Sequence, residues 1–474
     1  MSLDWLRAFA IAAAAAVVAP ALGAQPSLAD ALAEADRGAY GNRIAAASTR
    51  AADAAALAPL RGILPTVRVE AGYIRTTDPI GAFGSTLRQR TITQADFAPD
   101  RLNYPSAVGN YQGGVVIEQP LFNADAWAGR QAAERAADAS EAQQEWTRLS
   151  TRADVVRAWY GAVFASERVN SLTDAQRAAR AHVAQAESML REGLVTKSDV
   201  LLAAVRAGDL DAQLAEAEGA AINAHRQLAV LLGREGGDRG VGPAPGVALP
   251  SADRIRAVLA ADTADVPVRR RADIAAAEQG VRAARADARR ARSVYLPRLN
   301  TFARYDWNSP DALYAGDENW TVGVMASWNL FAGASDVSDV RATSHRAERA
   351  RAASDAAHAR ARLEIEESRT ALAVALTRLT IAERAADQSA EAHRIVARKY
   401  SGGLATVVEL LDAQAVETGS ALGLAGARYA AIAAAAERRR ALGQDPGTIA
   451  VLDEGAPVAG HAAPDDTTID QPSR

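Results

Sequence analysis

Leu64-Pro65-Thr66-Val67-Arg68-Val69-Glu70-Ala71-Gly72-Tyr73 and Leu296-Pro297-Arg298-Leu299-Asn300-Thr301-Phe302-Ala303-Arg304-Tyr305 open on the same Leu-Pro and close on the same tyrosine. Two further pairs follow in the same order. Val115 to Leu121-Phe122 matches Val324 to Leu330-Phe331. Gly193-Leu194-Val195-Thr196 with Asp199-Val200-Leu201 matches Gly403-Leu404-Ala405-Thr406 with Glu409-Leu410-Leu411. Three matches in one order identify a tandem duplication, which constrains the fold more than any local propensity does. The first two segments lie about 23 residues further apart in the first copy, and the surplus falls within 76–110. That stretch holds Pro79, Gly81, Gly84, Pro99 and Pro105 and reads as a loop.

The matched segments alternate. Val67, Val69, Ala71 and Tyr73 interleave with Thr66, Arg68, Glu70 and Gly72; Val115, Ile117 and Leu121 interleave with Gln112, Gly114 and Glu118. Trp320, Val322, Val324, Ala326, Trp328 and Leu330 interleave with Thr321, Gly323, Ser327 and Asn329, so the fourth strand reads as 320–330. In the third, Leu299, Ala303, Tyr305 and Trp307 share a face with Thr301, and Phe302 interrupts the other face. Period two gives one apolar and one polar face. The polar faces carry charge, and the strand lengths suit a tilted membrane strand of about 9–11 residues. Tyr73, Tyr111, Trp307 and Trp320 fall near the loop-side ends, and Phe122 and Phe331 near the other. Aromatic rims at both ends belong to membrane barrels. Pro65 and Pro297 open their strands, where a missing N–H is tolerated. Arg68, Glu118 and Arg304 are expected to face water, and Val69, Val115, Val324 and Trp328 lipid.

Between these strands and the glycine motifs run Phe122 to Gly193 and Phe331 to Gly403, without a proline. At about 1.5 Å per residue each reaches roughly 100 Å, too long for a globular domain. The return legs are broken. Segments 198–232 and 267–294 flank the Gly/Pro-rich linker Gly233–Pro250, and 404–442 is expected to stack with 27–60 as they do with each other. Residues 1–24 read as a signal peptide: Arg7, the apolar run Ala8–Val18, then small residues at Ala21, Leu22, Gly23 and Ala24. The first repeat is 25–263, the second 264–444, and 445–474 reads as a disordered tail rich in Pro, Gly, Asp and Thr.

Composition removes other classes. There is no cysteine, hence no disulfide scaffold or thiolate metal site. A net charge of −4 gives no nucleic-acid footprint. After the signal segment no apolar run is long enough for a spanning helix. His182, His225, His345, His358, His393 and His461 are scattered, with no phosphate loop or nucleophile elbow beside them, so no enzyme, cofactor or metal is expected. A periplasmic coiled-coil adaptor or structural rod would explain the helices but not four alternating strands. Four strands cannot close alone, and open edges are not tolerated in lipid, so two, three or four chains must join.

The duplicated order of helix, Leu-Pro strand, loop, strand ending in Leu-Phe, and long helix resembles the outer-membrane efflux (TolC-like) family. So do the Gly193 and Gly403 motifs, and so does Arg271-Ala-Asp-Ile-Ala-Ala-Ala-Glu278, with Ala272 replacing a proline. The likeness covers about 27–443. It implies a mostly α fold with a transmembrane β-barrel: a homotrimer whose twelve strands close in the outer membrane above a periplasmic α-helical barrel. It implies a passive exit duct for efflux or type I secretion, docked to a periplasmic membrane-fusion adaptor and an inner-membrane pump or exporter. Gly193, Leu194, Thr196, Gly403, Leu404 and Thr406 would then form the adaptor-facing tips. Glu409 and Asp412 would ring a cation-selective mouth. Ala405 stands where some members carry a basic latch residue.

Overall fold

The computed structural model describes residues 27–234, 242–244, 246–263, 271–313 and 315–452. The expected signal peptide lies outside them. Four strands form one antiparallel sheet in the order β1 (Thr66–Thr76), β2 (Val108–Phe122), β3 (Arg298–Ser309), β4 (Asp317–Ser327). Val69 opposes Val115, Val115 opposes Tyr305, and Tyr305 opposes Trp320. Directly opposed residues share a face, so Val67, Val69, Tyr73, Tyr111, Val115, Ile117, Tyr305, Trp307, Trp320, Val322 and Val324 form one apolar surface. Arg68, Glu70, Gln112, Glu118, Arg304, Asp306, Asn308, Asn319 and Thr321 form the other. Phe302 is accommodated by a glycine: a Cβ on Gly323 would lie 2.8 Å from its ring. The outer edges of β1 and β4 are unpaired among the described residues.

The fourth strand ends at Ser327, earlier than the pattern predicts. Trp328 and Phe331 therefore lie beyond the sheet, and the Trp328 indole N–H donates to the Tyr295 carbonyl at 3.1 Å. Apolar alternation continues past the point where a pairing partner stops, because β3 begins at Arg298 opposite Ser327. The 76–110 loop also carries structure, α3 (Pro79–Arg88) and α4 (Pro99–Asn103). Asp78 caps α3, accepting from the Gly81 N–H, and Pro79 occupies the first turn.

Two helices of 68 and 67 residues dominate, α5 (Ala124–Arg191) and α9 (Ser335–Ser401). They fold back at the tip into α6 (Lys197–Leu231) and α10 (Val407–Ala441). Nearer the sheet, α1 (Leu28–Gly38) and α2 (Tyr40–Ala55) pack on α5, and α8 (Ala272–Arg292) packs between α5 and α9. No helix among the described residues is long and apolar enough to cross a membrane.

The stacking partners are exchanged relative to the expectation. The end of α6 abuts the α1–α2 junction: a Cβ on Gly38 would sit 2.7 Å from the Leu232 carbonyl oxygen, and Arg234 pairs with Glu34 at 2.8 Å. The end of α10 abuts α8, whose preceding residue Arg271 donates to the Ala441 carbonyl at 3.1 Å. Each broken line is thus completed within its own copy, α6 with α2 in the first and α10 with α8 in the second. Where the segments meet, α7 (Ala252–Leu259) joins the core formed by Leu28, Val156, Trp159, Leu228, Ile255, Leu379 and Ile432. Pro446–Leu452, read as tail, is a 3-10 helix with Ile449 in that core. Its turn-rich composition hides the apolar anchor Ile449.

Candidate functional site

The end of the molecule remote from the sheet is built from two copies of one device. Gly193 and Gly403 adopt φ +76° and +71°, a left-handed conformation that glycine takes without steric cost. The next amides close the helix ends: Leu194 N–H reaches the Met189 carbonyl at 2.9 Å, and Leu404 N–H the Lys399 carbonyl at 2.8 Å. Three residues after each glycine, Thr196 and Thr406 cap the returning helices. Thr196 exchanges hydrogen bonds with Asp199, and Thr406 with Glu409, as reciprocal capping boxes. Leu194 and Leu404 are left projecting, 66% and 82% exposed. Beneath them Tyr400, Val407, Leu410, Leu411 and Ala203 are buried together, with Ala405 packed at the edge.

The two acids differ in their surroundings. Glu409 uses one carboxylate oxygen on its own cap, accepting from the Thr406 N–H at 2.7 Å and hydroxyl at 3.1 Å. Those bonds hold its pKa below the ordinary glutamate value. Asp199 does the same in the first copy. Asp412 is 67% exposed, and its nearest cation is Arg206 of α6, at 3.9 Å. Arg206 also lies 3.9 Å from Asp209. Leu202 occupies the equivalent of Asp412 in the first hairpin. Arg206 was not legible from the motif, because it comes from the other hairpin.

Higher on the tube, two of the scattered histidines meet. The rings of His182 on α5 and His393 on α9 cross edge to face with centroids 6.4 Å apart, and His393 Nδ1 lies 2.5 Å from Glu417 on α10. Burial, then the His393 charge, lower the His182 pKa.

At the sheet, Tyr73 packs against Tyr111 with tilted rings (4.6 Å) and Tyr305 meets Trp307 edge-on (4.9 Å), all on the apolar face near the loop end. Trp320 is exposed beside them. Phe122 ends β2 at the opposite rim. On the polar face, Arg304 bonds Asp306 at 2.6 Å and approaches Glu70 at 3.7 Å.

The chain is duplicated, with one amphipathic sheet, two long helical hairpins and a broken return leg completed within each copy. The outer membrane efflux protein family model matches residues 43–234 and 268–444. The chain belongs to this family. It is therefore an outer-membrane channel protein whose helices extend into the periplasm, and a passive channel rather than an enzyme. The family match sets aside the adaptor or rod reading. No curated protein matches the chain in sequence. Among solved structures, the CmeC outer membrane channel of Campylobacter jejuni is similar at 16% identity, covering 88% of this chain and 86% of that one, TM-score 0.74. The outer membrane protein VceC of Vibrio cholerae shares 19% identity over 88% and 96%, TM-score 0.71. The MtrE channel of Neisseria gonorrhoeae, in its open state, shares 18% over 89% and 90%, TM-score 0.70. These likenesses show that the fold is common to the group.

Proposed function

We propose that the chain is one third of a trimeric exit duct in a tripartite efflux or type I secretion system. The observation that carries this is the four-stranded sheet with one apolar face, one charged face and two open edges. In lipid those edges require partners, and twelve strands make a closed barrel in this family. The helical layer has matching open sides. Leu363, Val374, Ile381 and Ile395 are exposed along α9, and Leu201, Val205 and Ile222 along α6. On α9, Val374, Ile381 and Ile395 stand at multiples of seven, and on α6 Leu201 and Val205 are four apart, so each helix presents an apolar stripe suited to packing of α9 against α6 of a neighbouring copy. The repeats 25–263 and 264–444 each supply one hairpin to the tube.

At the tip, Gly193, Leu194, Thr196, Gly403, Leu404 and Thr406 form two rigid, apolar-crowned turns, suited to a periplasmic adaptor that connects the duct to an inner-membrane pump or exporter. Glu409 and Asp412 are three residues apart and share a helix face. Three copies set six carboxylates around the axis, which favours cations at the mouth. Capping favours the charged form of Glu409, so its negative charge persists below the ordinary glutamate pKa.

Planar-bilayer recordings test the reading. The native trimer should conduct cations selectively and be blocked by multivalent cations from the periplasmic side. Glu409→Gln with Asp412→Asn should weaken selectivity and block together, while Leu202→Ala leaves both unchanged. Unchanged selectivity in the double variant would leave the pair as a helix cap and a solvated acid. Absence of any conductance from a folded trimer would remove the duct itself.

A further inference from the structure

The connection between β1 and β2 occupies 77–107, whereas the corresponding β3–β4 connection is only 310–316. The longer one does not project away from the barrel. It folds back over the polar face of the sheet, on the side that the closed barrel proposed above would turn inward. Helix α3 packs on β2. At its end the Gln89 side-chain amide donates to the Gly109 carbonyl at 2.9 Å and to Asn110 Oδ1 at 2.8 Å, and Asn110 donates on to Asn308 Oδ1 at 2.9 Å. Gln89, Asn110 and Asn308 are all buried, so this is a satisfied interior network rather than a surface contact. The next residue, Arg90, reaches the far strand. It bonds the Asp317 carboxylate at 3.2 Å and the Glu318 carbonyl at 3.0 Å, both on β4. Asn110, Asn308 and Asp317 all belong to the polar face by strand register. The strap therefore starts at β1, crosses β2 and β3, and is fastened at β4.

Below it lies a cavity of about 620 Å³ whose lining includes Arg88 from the strap and Glu70, Gln112, Arg304, Asp306 and Asn319 from the polar face. The exposed surface of the strap is mixed, with Ile80, Leu87, Phe97 and Tyr104 among Thr91, Gln94, Asp100 and Arg101.

The geometry points to a second constriction at the extracellular end of the duct, formed by the 79–104 strap and separate from the periplasmic mouth. Each copy covers its own third of the lumen, so three straps converge around the axis. The fastening at Gln89 and Arg90 sets the aperture, and bulky solutes meet this filter from outside. The short β3–β4 turn has no such reach. The inference rests on the closed-barrel reading, and the test separates the two.

The full chain contains no cysteine, so a Thr321→Cys variant places a single thiol on the polar face beneath the strap. Intact cells producing it are treated from outside with a small charged methanethiosulfonate or a bulky polymer-linked maleimide. The small reagent is expected to react, and the bulky one to be excluded. Adding Arg90→Ala with Gln89→Ala should raise the bulky-reagent rate by roughly tenfold or more, since Arg90 loses its ionic bond to Asp317 and its bond to the Glu318 carbonyl, and Gln89 loses both of its amide bonds. Arg90→Ala alone, which leaves the buried network intact, should give a smaller rise. Equal bulky-reagent rates in the native-loop and released variants, with small-reagent labelling in both, overturn the strap. Failure of the small reagent in every variant shows that Thr321 does not face water and overturns the proposal together with the barrel reading.

Discussion

Replacing Arg271 by methionine should open the seam between the two stacked helices α10 and α8. The guanidinium is 1% exposed. It donates to Asp273 at 2.7 and 3.0 Å, to Glu364 at 2.8 Å and to the last-turn carbonyl of Ala441 at 3.1 Å, while its plane lies 4.5 Å from the Trp146 ring centre. Removing one partner of a buried ion pair costs about 3–5 kcal/mol. Here the carboxylates regain some water, since Asp273 and Glu364 side chains are 22% and 37% exposed. Methionine also retains part of the contact with Trp146. The low end applies, about 3 kcal/mol, or roughly a hundredfold in the local opening equilibrium. Arg271→Lys keeps the charge but not the forked geometry, so it should fall between. Hydrogen exchange of the trimer in detergent reads this directly. Amides in the last turn of α10 and the first turns of α8 should exchange about a hundredfold faster in the methionine variant, with the α5–α6 hairpin near the tip unchanged. Native exchange rates at the seam would refute the reasoning that a single arginine welds α10 to α8.

Three further outcomes follow from the faces and the titratable groups. Single cysteines at Arg68, Glu118 and Arg304 should react with a membrane-impermeant thiol reagent, and those at Val69, Val115 and Val324 should be protected; the reverse pattern would refute the register. Trp328, beyond the end of β4, is removed from the lipid set. Thr406→Ala should return the Glu409 titration midpoint toward the ordinary value of 4.5, measured by carboxyl-carbon NMR. Because capping depresses that pKa in the folded chain, its stabilising effect is present above the ordinary value and lost as pH falls through the folded one; an unmoved midpoint would show that the cap bonds do not govern it. His182, lowered from 6.5 by burial and then by His393, resists protonation in the fold. The stability it preserves is present above 6.5 and is lost as pH falls from there toward the folded value. Exchange protection where α5, α9 and α10 meet should therefore drop on acidification in the native chain and drop less in His182→Gln; equal slopes would refute it.

The duplication, the four amphipathic strands and the long proline-free helices were determined by the sequence alone, because each is a periodic signal carried by many residues. The tips were placed by the repeated motif through the family resemblance, and the structure supplies the local cause, a left-handed glycine at Gly193 and Gly403 and a capping threonine at Thr196 and Thr406. The two faces followed from the alternation of Val69, Val115 and Tyr305 with Arg68, Glu118 and Arg304, whereas which residues oppose one another came from the strand pairing. What only the tertiary structure decided lies where distant segments meet. That α6 continues into α2, and α10 into α8, depends on which helix ends abut, and nothing in their sequences names the partner. Arg206 approaches Asp412 across two hairpins, and His182 approaches His393 across two long helices, with no fixed spacing to reveal either. The 76–110 segment has loop composition because it is built of turns and caps, yet Gln89 and Arg90 tie it across the sheet. Local propensity records the conformation of each residue, whereas side chains that bond over more than a hundred positions act only once the chain has folded.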